Sequence, residues 1–366
     1  MKADALQSPG HGAAQAARAG AREARVPGPR PNLAALRTAY LELLKLCLCD
    51  LGGTSTGSVV ALPDGTAAAK ELRGEDLLLR SGGFDWPLDG LTMTGITRLD
   101  DLQTCVESVV ADRVEGDLIE AGVWRGGASI LMRAALDALG EEERTVWVAD
   151  SFQGFPSRSE ARREDPYMSA FEFLAAPLAE VKANFKRFGC ERGVRFLPGF
   201  FDETLASLSG ERWAVLRLDG DTYEATRLSL DCLYRDLSVG GYVIVDDYGA
   251  LEECRRAVDE FRHEHGIEEP IEYVDWTCVR WRRQSDAPIA ADVSPPPAPE
   301  RRSGPSSDSG RPRHARVPTH YELELRDHLA LYRERLAAAR AEIAAVRDWP
   351  VPVVKAWMRR KLSRSR

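Results

Sequence analysis

Apolar residues recur at helical spacing in LAALRTAYLELLKLCLCDL, residues 33 to 51, and predict an amphipathic helix that packs on whatever follows it. A connecting segment then runs to about residue 90 and carries SGGFDWPLDG, a loop punctuated by Gly and Pro. From residue 97 the pattern alternates between helical periods and short apolar runs. It predicts helix 97 to 112, strand 117 to 121, helix 127 to 139 and strand 145 to 149. After an irregular stretch it predicts helix 177 to 188, strands 193 to 197 and 213 to 218, helix 222 to 237, and strand 241 to 245. Such alternation means an α/β fold, a mostly parallel sheet with helices on both faces. Ligands of such sheets bind just beyond the carboxyl ends of the strands, so chemistry is to be sought there.

The flanks follow different rules. Residues 1 to 30 hold few bulky apolar groups and cannot offset the entropy of ordering, so disorder is expected there. One folded unit is expected over 33 to 283, then a Pro/Ser-rich linker over 284 to 318. In 319 to 348, Leu325, Leu329, Tyr332, Leu336, Ala339, Ile343 and Val346 form a heptad seam, with Thr319 and Glu322 as a capping box. A seam of this kind predicts pairing, so a homo-oligomer is expected. The last stretch, 349 to 366, is strongly basic and holds Trp357, which suits peripheral contact with an anionic membrane surface.

Formal net charge is -8, which argues against general affinity for nucleic acid. The seven cysteines, at 47, 49, 105, 190, 232, 254 and 278, lie in apolar stretches without metal-ligand spacing and read as core thiols of a reducing cytoplasm. No run approaches the roughly 20 apolar residues that cross a bilayer, and the start lacks the apolar region of an export signal.

Two places carry chemistry. In DLIEAGVWRGGAS, the strand ends at Glu120, and Gly122 and Gly126 let a backbone turn approach a ligand before a helix begins. The pattern is E-x-G-x-x-x-G, not the dinucleotide fingerprint, because Glu120 would repel a pyrophosphate and suits an ammonium group, such as that of a methionine. The next strand ends in Asp150, where a carboxylate can accept both hydroxyls of a ribose. Read alone, each acid is equally a helix cap. The second place is the pair LRLDGDTY and VIVDDYG, in which Asp219, Asp221, Asp246 and Asp247 follow strands joined by a single helix, hence parallel neighbours. Crowded carboxylates raise one another's pKa unless a cation sits among them. All-oxygen ligands favour magnesium ahead of calcium or manganese, and no histidine lies between His11 and His263 to suggest zinc. The alternative is that Asp221 and Asp247 are turn residues and caps.

These segments resemble the macrocin O-methyltransferase (TylF-type) family, whose members methylate sugars on macrolides and aminocoumarins. The resemblance covers about residues 40 to 283 through YLELLKLCL, DWP, TMTGITRLDDLQ, EAGVWRGGAS, VADSFQGFP, VRFLPGFFDETL, LRLDGDTYEAT, GGYVIVDDYG and DWTCVRWRR. It implies a methyltransferase domain over 33 to 283 with the class I sheet, seven strands of which one, within 271 to 283, is antiparallel. It implies Asp219, Asp246 and Asp247 as magnesium ligands and Asp221 as general base. Glu120, Gly122 and Gly126 fall at the methionine end of S-adenosylmethionine, Asp150 at its ribose, and Phe200 and Phe201 beside its adenine, although the family usually has Trp at position 200. The segment Thr92 to Arg98 matches one that closes over the methyl donor.

The implied reaction is methyl transfer to a sugar hydroxyl on a small molecule or polysaccharide, with the metal lowering the hydroxyl's pKa and Asp221 accepting its proton. Two rivals differ in class. Catechol-type enzymes resemble this chain in the metal aspartates but carry a lysine base where this chain has Thr222. A non-catalytic scaffold would be under no need to keep all four aspartates and Glu120. The heptad and basic tail resemble those of proteins of surface polysaccharide synthesis and tilt the expected acceptor toward a polysaccharide or glycolipid sugar.

Overall fold

A computed structural model describes residues 32–61, 67–155 and 174–286. The expectations for residues 1 to 30, for most of the 284 to 318 linker, for the heptad seam and for the basic end lie outside the described residues.

Helix α1, Leu33–Leu48, starts where Asn32 caps it, its side chain accepting the Ala34 N–H at 3.0 Å. The segment read as a connection holds structure of its own. Strands β1, Ser55–Ala61, and β2, Ala67–Arg73, pair antiparallel, helix α2 spans Leu77–Ser81, and β3, Trp86–Pro87, pairs with the other side of β1. Sequence periodicity hides this small sheet because the inward positions of β1 are Thr56 and Ser58, both buried, rather than apolar residues. Arg80, itself 1 % exposed, donates to Thr56 Oγ1 at 2.8 Å, to two backbone carbonyls, and in a fork to Asp85, while the Ser58 hydroxyl donates to the Trp86 carbonyl at 3.4 Å.

The main sheet follows. Its elements are α3 (Gly95–Ala111), β4 (Asp117–Ala121), α4 (Gly127–Leu139), β5 (Val146–Asp150), α5 (Leu178–Arg187), β6 (Val194–Pro198), α6 (Phe201–Thr204), β7 (Trp213–Leu218), α7 (Tyr223–Leu233), β8 (Leu237–Val245), α8 (Glu252–Glu264), β9 (Glu272–Tyr273) and β10 (Val279–Arg282). The strand order is β6-β5-β4-β7-β8-β10-β9, with β6, β5, β4, β7 and β8 parallel and β10 antiparallel to β8. This is the seven-stranded sheet with one antiparallel strand that the resemblance implies. Helix α8 is absent from the sequence expectations because its apolar seam is thin, only Cys254, Ala257, Val258 and Phe261 being buried.

Alternation along the strands splits the core. Leu118, Val146 and Val148 face α1, α3, α4 and α5, whereas Ile119, Ala121, Trp147 and Ala149, with Val279 and Trp281 of β10, face α7 and α8. Of the seven cysteines, all unbridged, five are buried, Cys232 is half-buried and Cys47 is exposed, so Cys47 departs from the core reading. Among the described residues, no helix is long and apolar enough to cross a membrane. The chain winds outward from β4 through β5 to β6, then returns to β7 on the other side of β4. That reversal opens a crevice above the carboxyl ends of β4 and β7.

Candidate active site

The register of β4 against β7 sets Glu120 beside Arg217, and the register of β7 against β8 sets Arg217 beside Ile244, two residues before Asp246. Just past the strand ends the backbones close in. A Cβ on Gly122 would collide with the Asp219 carbonyl, while the Asp219 N–H donates to the Ala121 carbonyl at 2.8 Å. With φ at 87°, Gly122 is thus required by strand-to-strand approach, in addition to any approach by a ligand. Gly126, at φ 85°, ends the turn and leads into α4 without a side-chain cap. The carboxylate of Asp150 holds this turn from the neighbouring strand, its Oδ2 accepting the N–H groups of Val123 at 2.8 Å and Trp124 at 3.2 Å, and its Oδ1 that of Phe152 at 2.7 Å.

Arg217 is the centre of the crevice floor. Its Nη1 donates to Glu120 Oε1 at 2.6 Å and to Asp219 Oδ2 at 2.8 Å, and its Nη2 to Asp246 Oδ1 at 2.5 Å. The other oxygen of Asp246 accepts from Arg98, and Ser129 donates to Glu120. Arg98 also lies 3.0 Å from Asp275. Sequence reading missed Arg217, Arg98, Asp275 and Ser129 as parts of the site. The signal for Arg217 was present, since a charge inside the otherwise apolar WAVLRL of a two-sided buried strand demands partners.

The aspartates divide. Asp219, Asp221 and Asp247 bring carboxylate oxygens within 4.8 Å of one another, a grouping able to hold a metal ion. Asp246 adjoins them but is turned between two arginines. No hydrogen-bond donor among the described residues reaches the buried Oδ2 of Asp247. Neither Asp221 nor Asp247 caps a helix: Thr222 caps α7, accepting the Ala225 N–H at 3.2 Å, and the residue before α8 is Leu251. The residue at the position of the catechol-type lysine is therefore a helix cap. Asp221 itself sits at φ 60°, a left-handed turn that Asp tolerates better than most residues.

Electrostatics point the same way. Burial, and then the negative charges of Asp221, Asp219 and Asp246, push the Asp247 carboxyl well above the usual range. Burial and Asp246 raise Asp219, against the opposing pull of Arg217. Burial lifts Glu120 to about 7 despite its bond to Arg217. Six carboxylates, Glu120, Asp219, Asp221, Asp246, Asp247 and Asp275, face two guanidiniums, an excess of negative charge around an oxygen-lined cleft. A hard divalent cation fits that donor set and gives the unserved oxygen of Asp247 a partner. Phe200 and Phe201, both half-buried, follow β6, and the Phe201 ring packs beside Gly220 between the two aspartates of the β7 turn. Leu91 lies over the start of α4, its carbonyl accepting the Gly127 N–H at 2.9 Å, and Thr92 and Thr94 are buried beside it.

Residues 60–283 match the family model described as Macrocin-O-methyltransferase (TylF). The chain is 47% identical over 251 residues, 67% of its own length and 93% of the relative's, to the 8-demethyl-8-(2,3-dimethoxy-alpha-L-rhamnosyl)-tetracenomycin-C 4'-O-methyltransferase of Streptomyces olivaceus. It is 43% identical to the Mycinamicin III 3''-O-methyltransferase of Micromonospora griseorubida, again over 67% of this chain and 96% of that one. Its structure is similar to that of the O-methyltransferase NovP, with 39% identity and a TM-score of 0.60, covering 68% of this chain and all of the other.

Proposed function

The chain belongs to the macrocin O-methyltransferase family, and from that premise we propose that it methylates a sugar hydroxyl of a glycosylated small molecule at a magnesium site built on Asp219 and Asp247. Methyl transfer from S-adenosylmethionine to a sugar hydroxyl is the activity of the enzyme. The observation that carries the metal is the convergence of Asp219, Asp221 and Asp247 around a carboxylate oxygen that no donor among the described residues serves.

Asp219 and Asp247 would hold the ion, with Asp246 in support. A carboxylate offers about four acceptor positions, so its two arginine partners leave Asp246 lone pairs to contribute. When bound, magnesium lowers the pKa of a coordinated hydroxyl and fixes its orientation. Asp221 accepts the hydroxyl proton as the oxygen attacks the sulfonium methyl, forming a C–O bond and breaking a C–S bond. Glu120 takes the methionine ammonium, Gly122 and Gly126 shape the turn against it, Asp150 accepts the ribose hydroxyls, and Phe200 and Phe201 border the adenine. The reaction consumes a sulfonium charge, so the buried floor of the crevice favours it over an aqueous setting.

A second reading, in which the sugar belongs to a polysaccharide or lipid-linked glycan, rests on the C-terminal tail. Its heptad seam would make the protein a homo-oligomer, and its basic end would hold it at the inner face of an anionic membrane within the cytoplasm. The deciding experiment incubates the purified full chain with labelled S-adenosylmethionine, rhamnosyl natural products and polysaccharide fragments, before and after chelation. Label on a glycoside sugar, lost on chelation and restored by magnesium, supports the reading. Transfer that survives thorough chelation overturns the metal.

A further inference from the structure

Arg98 lies on the first turn of α3 yet reaches three segments far apart in the chain. Only 7 % exposed, it binds Asp246 through Nη1, meets Asp275 Oδ2 at 3.0 Å through Nε, and donates from Nη2 to the Gly83 carbonyl at 3.3 Å. The segments around those partners are joined to each other as well. Trp276 donates from Nε1 to the Gly82 carbonyl at 3.1 Å and stacks on Phe84, with ring centroids 4.8 Å apart and planes 16° from parallel. Thr277 Oγ1 donates to the Asp246 carbonyl at 3.0 Å.

Backbone packing leaves these pieces little independence. A Cβ on Gly95 would come within 2.6 Å of the Ser81 carbonyl, and one on Gly83 within 2.8 Å of the Met93 and Thr94 carbonyls. The loop after α2 is thus seated on the start of α3, and the turn before β10 is seated on that loop. One guanidinium fastens this junction and, by the same group, sets the side chain of Asp246. A planar guanidinium makes directed bonds to Asp246 and to the Gly83 carbonyl while its Nε lies beside Asp275 as an ion pair without hydrogen-bond geometry, a fixed spread of contacts that an ammonium cannot reproduce.

We propose that Arg98 is a positioning residue of the methyl transfer, joining the clasp formed by residues 82–84 and 275–277 to the orientation of the Asp246 carboxylate at the metal site. The proposal rests on the functional reading above for the identity of the metal site, while the clasp itself stands on the contacts alone.

The test is Arg98→Lys in the full-length protein, because lysine keeps the charge that acts on a nearby cation and removes only the fork. Manganese binding measured by calorimetry should weaken tenfold or more, and kcat should fall at least tenfold. The dissociation constant for S-adenosylmethionine should stay within threefold of the wild type. Hydrogen exchange should accelerate tenfold or more in peptides spanning 81–86 and 273–278, with β4 and β5 unaffected. Arg98→Ala should exaggerate the exchange effect. Unchanged metal affinity together with unchanged exchange overturns the proposal, as does a uniform rise in exchange across the sheet, which is the mark of a merely structural residue. A wild-type protein that binds no manganese refutes the metal reading and the metal half of this proposal, and exchange at 81–86 then judges the clasp separately.

Discussion

Arg217 and Glu120 stand on adjacent parallel strands at paired positions, and their side chains meet at 2.6 Å beneath the turn that opens α4. The pair lies under the Gly122–Gly126 turn, while the same guanidinium reaches Asp219 and Asp246 at the acidic end of the crevice. Burial disfavours the charge on Arg217, but Asp246, Asp219 and Glu120 outweigh it and hold its proton more firmly than usual. Removing Arg217 deprives three carboxylates of their shared partner, a loss of about 3 to 5 kcal/mol in comparable pairs, whereas Arg217 keeps Asp219 and Asp246 when Glu120 is removed. The two halves of the site therefore share one structural support.

The first prediction concerns pH. Burial raises the Glu120 carboxyl from 4.5 to about 7, so the native protein binds this proton more tightly than the unfolded chain does. The stabilisation this confers is complete below pH 4.5 and disappears as pH climbs to about 7. Over that window the slope approaches about 1.4 kcal/mol per pH unit. Glu120→Gln removes the titration while keeping an acceptor for Arg217 and should flatten stability between those limits. Denaturant unfolding of both proteins at pH 5, 6 and 7, without methyl donor, measures it. Parallel pH curves would mean that the ion pair keeps Glu120 charged throughout.

The roles of Asp247 and Asp221 separate by substitution. Asp247→Asn should weaken manganese binding by at least about tenfold, roughly 1.4 kcal/mol, since it replaces a carboxylate whose buried Oδ2 is reached by no donor among the described residues. Asp221→Asn should keep metal affinity within threefold and reduce kcat by about 10² to 10⁴, the usual contribution of a general base. Equal loss of metal binding in the two variants would make Asp221 a ligand instead.

A third substitution probes the methyl donor. Asp150 holds the Gly122–Gly126 turn through the Val123 and Trp124 amides, in addition to its assigned contact with the ribose. Asp150→Asn should weaken S-adenosylmethionine by about 1 to 3 kcal/mol, the cost of unserved buried donors. Calorimetry at a single pH suffices. An unchanged dissociation constant would move the ribose contact to another residue.

The parts of this fold legible in sequence are those where burial is two-sided and continuous. Strand β4 and helix α4 begin and end where periodicity puts them, because almost every residue of α4 up to Leu136 is buried and Gly140 stops it in a left-handed turn. The β1–β2 hairpin stayed hidden because the buried positions of β1 are the hydroxyls of Thr56 and Ser58, bonded to Arg80 of α2 and to the Trp86 carbonyl, and among the described residues of β2 only Leu72 is a buried apolar one. In the site, Glu120, Asp150 and the four aspartates were readable from their places at strand ends. Which carboxylate oxygens converge was not readable, since Asp246 and Asp247 are neighbours in sequence, and only the packing of Arg98 and Arg217 against both oxygens of Asp246 tells them apart.

The last prediction concerns the C-terminus, where Arg283 sets the point at which the chain can be cut. It is 5 % exposed and donates to the carbonyls of Tyr234 at 3.2 Å and Leu237 at 2.5 Å, and the following amide, that of Gln284, reaches Glu269 Oε1 at 3.0 Å. Truncation before Arg283 should therefore destabilise β8 and β10. A chain ending at Asp286 should keep its thermal midpoint, its affinity for S-adenosylmethionine and its methyl transfer to a small glycoside. The heptad seam from Leu325 to Val346 carries one apolar stripe, which is marginal as a lone helix in water, so the full chain should sediment as a larger assembly than the truncated one. The basic end should add binding to anionic vesicles, at about 1 kcal/mol for each Lys or Arg near the surface, and lose it at high salt. Sedimentation of both forms, with and without such vesicles, measures the two effects independently. If both forms sediment alike and neither binds vesicles, the polysaccharide reading loses its only support, and the acceptor is the glycosylated small molecule alone.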